Sequence, residues 1–222
     1  MADYGIQVVN GTGDGWQIDS TSQGAGLYVV YTFTLERKSI GSSAYCTSTH
    51  ILPLTNLIVV YKGSIPISYN RATGRIFAPD GYQGQSVTVY CFKVNLFTYP
   101  YSDYGAVVWD DVGQITYSTA HSPLIIQDIL TVPAMRPKKD EGSIQYTIPE
   151  NCGLILEPRF YITPYGAYEW GTFAVMFSVN GQLATLSNSF CGWMYQDNHP
   201  RFRKGWNNNQ DLQLIAVDMS KF

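Results

Sequence analysis

The chain has 222 residues, a formal net charge of −3 and a pI near 5.5. Charged residues make up only 14%, so the basic patch that a nucleic acid or an anionic membrane selects is not to be expected. A chain this long can bury roughly 70% of its unfolded surface without a covalent staple, and the totals fit one domain or two.

In chain order, alternation and short apolar runs dominate, and helical periodicity is nearly absent. A strand is predicted over 6–9, followed by a turn at Asn10-Gly11. Further strands are predicted over 27–35, 57–61, 86–94, 106–109, 114–117, 124–130, 143–148, 153–157, 172–179, 183–186 and 212–217. Asp80-Gly81 reads as a turn. Asn180-Gly181 inside FAVMFSVNGQLATLS reads as a two-residue hairpin turn, where positive φ angles match the twist of the flanking strands. MRPKKDEG (135–142) and WNNNQ (206–210) are polar breaks. Many short strands at regular spacing predict an all-β fold: antiparallel β-sandwich or partly closed barrel modules.

Two stretches resemble each other. YGIQVVNGTGDGWQIDST (4–21) and YGAVVWDDVGQITYST (104–119) both open on Tyr-Gly, run into an alternating strand, turn through polar residues and return through a hydroxyl-rich segment. Two β modules related by duplication, 1–100 and 101–222, are one reading. The other is a single domain whose hairpins are alike in composition alone.

Cys46, Cys91, Cys152 and Cys191 stand too far apart for a metal knuckle. Free thiols and folding in a reducing cytosol are expected, with Cys91 in SVTVYCFKV as a small buried hydrophobe. MADYGIQVV lacks the charged and apolar regions of a signal peptide. No apolar stretch approaches the roughly 20 residues that span a bilayer, so no membrane insertion is expected.

Catalytic readings weigh little. Asp110 and Asp111 are neighbours, and neighbours on a strand face opposite ways; a turn accounts for them by local hydrogen bonding. His121 with Ser118 lacks a nucleophile elbow and an orienting acid. His50, His121 and His199 share no ligand spacing. No phosphate-cradling loop and no calcium loop occurs. No catalytic residue, metal or cofactor is therefore expected, and the chain reads as a non-enzyme. Arg136, Lys138, Lys139 and Arg201, Arg203, Lys204 read as solvated loops.

Aromatic residues amount to 14%, with 17 Tyr. So many rings with so little charge call for a partner surface. Tyr99, Tyr101, Tyr104, Tyr165, Tyr168 and Trp170 are the candidate interface residues. His199, Arg201, Arg203, Trp206 and Asn207, with Asn208 and Asn209, form a candidate loop for a sugar or cell-surface polymer.

The opening MADYGIQV, the central YGAVVWDDVGQITYSTAHSPLIIQDIL and the ending DLQLIAVDMSKF resemble small virion proteins of tailed bacteriophages. The matching residues are Tyr4, Gly5, Ile6, Val8, Ile18, Asp19, Ser20, the strand SPLIIQDIL (122–130), Leu214, Ile215, Val217, Asp218 and Ser220. Residues 28–101 have no counterpart in the pattern. The resemblance implies a structural part of the tail tip, baseplate or fibre region, located in the virion and assembled in the host cytoplasm. It implies copies of itself and other tail proteins as partners, in rings of three or six. A receptor- or carbohydrate-binding module at the tail end is the alternative.

Overall fold

The computed structural model describes residues 5–9, 15–19, 25–40, 43–53, 57–94, 107–109, 115–118, 122–133, 143–157, 160–164, 169–196 and 211–222. Among them seventeen strands follow one another without a helix. They are β1 (Gly5–Val9), β2 (Gly15–Asp19), β3 (Ala25–Ile40), β4 (Ser43–Ser48), β5 (Leu57–Tyr61), β6 (Ser68–Asn70), β7 (Arg75–Pro79), β8 (Ser86–Val94) and β9 (Val107–Trp109). They continue with β10 (Ile115–Ser118), β11 (Ile126–Val132), β12 (Ile144–Thr147), β13 (Cys152–Ile155), β14 (Phe160–Pro164), β15 (Glu169–Asn180), β16 (Leu183–Gln196) and β17 (Leu212–Asp218).

Every pairing among them is antiparallel. One large sheet runs β11-β17-β13-β5-β8-β3-β4-β7-β6, and a smaller one runs β12-β16-β15-β14. The fold is an all-β antiparallel sandwich, not a closed barrel. β3 is the corner: residues from Ala25 to Thr34 pair with β8, and those from Leu35 to Ile40 pair with β4. The first layer is thus β11-β17-β13-β5-β8 with the first part of β3. The second is the end of β3 with β4, β7, β6 and the smaller sheet. The nesting of β3–β4 against β8–β7 is the wrap of a jelly roll.

Alternation explains which side chains enter the core. Val87, Val89 and Cys91 of β8, Val59 and Tyr61 of β5, and Leu212, Leu214 and Ala216 of β17 point between the layers. They meet Ile67, Ile76, Ala78, Val175, Phe177, Val179, Ala184 and Leu186 from the second layer in one cluster. The two parts of the second layer, the end of the large sheet and the smaller sheet, are joined through their backbones. Ile67 N–H donates to Phe177 O at 2.9 Å, Phe177 N–H to Ile67 O at 2.7 Å, and Val179 N–H to Gly63 O at 2.7 Å.

The first layer curls. Leu27 N–H donates to Ser122 O at 2.8 Å and Leu124 N–H to Ala25 O at 2.7 Å, so 122–124 lies along the β3 edge. Three residues later Ile126 pairs with Val217 at the opposite side of the layer. Five strand-to-strand steps measure about 24 Å when flat, whereas three residues reach at most about 11 Å. The two edges therefore meet at this end, without closing along their length.

The predicted strands 57–61 and 86–94 coincide with β5 and β8. Other strands extend beyond the predicted bounds: 27–35 lies inside β3, and 183–186 is the start of β16. No strand was expected at β4, β6, β7 or β14. β4, SAYCTS, is too polar to read as a strand, but its hydroxyls are satisfied. Thr47 Oγ1 donates to Ile76 O at 3.1 Å, and Ser48 Oγ donates to His50 O at 2.7 Å while accepting from Ile76 N–H at 3.2 Å. Both 4–21 and 104–119 contain two-stranded ribbons, β1–β2 and β9–β10, the second with a register shift between Ile115 and Tyr117.

Candidate association surface

The first layer has a second face, turned away from the other layer. Cross-strand pairing lays an apolar row over it: Val30 opposite Tyr90, Tyr90 opposite Val60, Val60 opposite Ile155. On β17 and β11 the row ends at Ile215 opposite Ile129. The middle of the row is covered. Val60, Phe92, Val217 and Met219 are buried there, with Ala25, Leu27, Ile58, Tyr90, Leu124 and Ile155 packed around them. The ends are open: Val30 is 44% and Ile129 55% exposed, with Ile126 beside it at 50%. Such rows bind by removing apolar area from water, at about 25 cal/mol per Å².

Local chemistry decides what covers the middle. Asp218 Oδ1 accepts from Ser220 N–H at 2.8 Å, and Phe222 N–H donates to Met219 O at 3.1 Å. This turn brings the Phe222 ring to 5.5 Å from Tyr90 and 6.0 Å from Phe92, centroid to centroid. The Ser220 amide and hydroxyl hold the Asp218 carboxyl below the usual carboxylate range. Gly153 is required beneath: a Cβ there would stand 2.9 Å from Tyr61 O and 3.0 Å from Met219 Cγ.

The open end on β11 is also a sheet edge, since among the described residues only β17 pairs with β11. Its Ile129 N–H is held by Asp128 Oδ1 at 2.8 Å instead of by a neighbouring strand. A carboxylate on an edge discourages indiscriminate strand addition.

All four thiols are free and buried. Burial pushes the Cys91 thiol up to about 12 and raises Cys191 further, so neither is a ready thiolate nucleophile. Among the described residues no group of three or more His, Cys, Asp or Glu is placed to hold a metal ion, and no helix is long and apolar enough to cross a membrane. Arg37 and Asp80 form an exposed two-point ion pair, Nε to Oδ1 at 2.7 Å and Nη2 to Oδ2 at 3.1 Å. It ties β3 to the loop after β7.

Most residues singled out from the sequence lie outside the described residues: Tyr99, Tyr101, Tyr104, Tyr165, Tyr168, His199, Arg201, Arg203, Trp206, Asn207, and likewise Asp110, Asp111 and His121. Trp170 is placed on β15, in register with Pro164 of β14 and Tyr195 of β16. Val30, Ile126 and Ile129 were not singled out. Each sits in an apolar run that reads equally well as a strand buried on both faces, and only the pairing tells which residue is left open. Comparison with protein-family models, with curated proteins and with solved structures finds no match.

Proposed function

We propose that the chain is a structural component of a tailed-phage virion, in the tail tip, baseplate or fibre region. It acts by associating with copies of itself and with other tail proteins, without a catalytic step. The observation that carries this reading is the apolar row, covered at its centre and open at Val30 and Ile129. Partly exposed Val or Ile entering an interface contributes about 1 to 2 kcal/mol each, enough for about tenfold in affinity. The likeness of the chain's opening, centre and ending to small phage virion proteins supports the same reading. So does the jelly-roll wrap, which recurs in viral capsid and lectin domains, although a fold by itself names no site.

The test is light scattering of the purified chain at increasing concentration, together with mass spectrometry of purified particles. Self-association weakened by Val30→Lys and Ile129→Lys, with the chain present in particles, is the expected outcome. A chain that stays monomeric and is missing from particles overturns the proposal. The lectin precedent and the placement of Trp170 at the far end of the β15–β16 hairpin favour a second reading, a receptor- or carbohydrate-binding module. Glycan binding abolished by Trp170→Ala is its expected signature.

A further inference from the structure

We infer that the chain is a fused two-fold pair of one β module, whose halves meet through an isologous interface running through both layers. The inference stands apart from the proposed function. It rests on four features of the strand pairing.

First, the layers are palindromic. The first reads β3-β8-β5 and then β13-β17-β11; the second reads β4-β7-β6 and then β15-β16-β12, with β6 and β15 joined at Ile67 and Phe177. Exchanging β3, β4, β5, β6, β7 and β8 for β11, β12, β13, β15, β16 and β17 turns four of the five pairings of the first half into pairings of the second; β3–β4 has no counterpart among the described residues. β3–β8 becomes β11–β17, β5–β8 becomes β13–β17, β4–β7 becomes β12–β16 and β6–β7 becomes β15–β16. Besides that pairing, β14 and the two ribbons β1–β2 and β9–β10 stand outside this exchange, and each ribbon precedes the first strand of its half.

Second, the registers agree. Val59 faces Cys91 as Leu154 faces Ala216, and Leu57 faces Lys93 as Cys152 faces Asp218. The pairing of β3 with β8 slips by one residue between Leu27 and Val29; that of β11 with β17 slips between Ile126 and Asp128. In the matched frame these are the same position. A bulge is a specific device, and its recurrence at one position is not required by pairing in general.

Third, burial follows the match where identity does not. Val87, Val89, Cys91 and Phe92 are buried as Leu212, Leu214, Ala216 and Val217 are, and Phe33 as Val132 is. The open residues also correspond, Val30 to Ile129.

Fourth, the halves touch through residues that are their own counterparts. Val60 pairs with Ile155, and these two are matched positions. Ala25 and Leu124, again matched, share the hydrogen bond from Leu124 N–H to Ala25 O. Ile67 and Phe177, each three residues before the Asn that ends its strand, bond reciprocally. In an isologous contact, residue i meets j and j meets i, so a residue on the axis meets its own copy. Three such contacts are what one half-turn through the molecule requires.

The test is an experimental structure of the full chain, with β3 to β8 superposed on β11, β12, β13, β15, β16 and β17. A half-turn that also carries Val60 onto Ile155 and Ile67 onto Phe177 is expected; a rotation clearly different from a half-turn, or matched strands that fail to superpose, overturns the inference. A second readout uses the full chain with a protease site inserted between β8 and β9. After cleavage the halves are expected to co-elute and to unfold in one transition. Halves that separate in buffer, or melt independently, count against a shared interface.

Discussion

Gly192 shows how a single residue can be dictated by a neighbour on a strand distant in the chain. Its φ is +103°, and a Cβ would stand 2.7 Å from the Tyr45 ring. Gly192→Ala is expected to cost roughly 1 to 3 kcal/mol, read as a lower urea midpoint with an unchanged slope. Phe177 lies where the smaller sheet meets β6 within the second layer and is 1% exposed; Phe177→Ala should cost about 3 to 5 kcal/mol by the same measurement. The thiols give a pH dependence whose sign is fixed. Burial raises Cys91 to about 12 in the folded chain, against about 8.5 when unfolded. Its contribution is therefore complete below about pH 8.5 and is lost as pH rises from there toward 12. Urea midpoints should fall between about pH 8 and pH 10, and less so in Cys91→Ala; a midpoint that stays level in the unmodified chain refutes this.

Among the elements, the β15–β16 hairpin shows how far turn chemistry reads from sequence. Asn180-Gly181 predicted a hairpin, and the hairpin is there. Its two central residues are Gly181 and Gln182, however, because Asn180 itself pairs with Leu183. Only Gly181 has positive φ, +61°, which suits the type II′ turn that takes glycine first. Gly181→Val should lower stability by about 1 to 2 kcal/mol, visible as a lower melting temperature. β4 carries the opposite lesson: its buried Thr47 and Ser48 sit in a strand because β7 and His50 satisfy their hydroxyls. β11 is an edge whose Ile129 N–H is occupied by Asp128. Asp128→Ala frees that donor, and dynamic light scattering should then report larger particles at equal concentration.

For the molecule as a whole, the curl of the first layer and the two-fold match bear on association together. Val30 and Ile129 occupy corresponding places, so Val30→Lys and Ile129→Lys should weaken self-association by similar factors, about tenfold each. Combined, they should weaken it by about the product, as distant sites do. Sedimentation velocity distinguishes this from one dominant site, for which one variant alone would abolish the complex. The Met219–Phe222 turn over the centre of the row depends on ionised Asp218. Its pKa is lowered in the folded chain, so this support is full above the ordinary carboxylate range and fades as pH falls below it.

The sequence by itself determined the class of fold, because alternation with a period of two and glycine turns are local properties that a strand cannot hide. It determined β5 and β8 to the residue, the hairpin at Gly181, the ribbons in the two similar stretches, and four cysteines free of disulfides. Tertiary structure alone decided which apolar residues stay open. Val30 and Val60 face the same way from similar apolar runs, yet one is 44% exposed and the other fully buried. The difference lies in the strands and the Met219–Phe222 turn laid over them, which come from distant parts of the chain. The match between the halves is likewise carried by pairing and burial, with little residue identity, since many apolar side chains fill one inward position equally well.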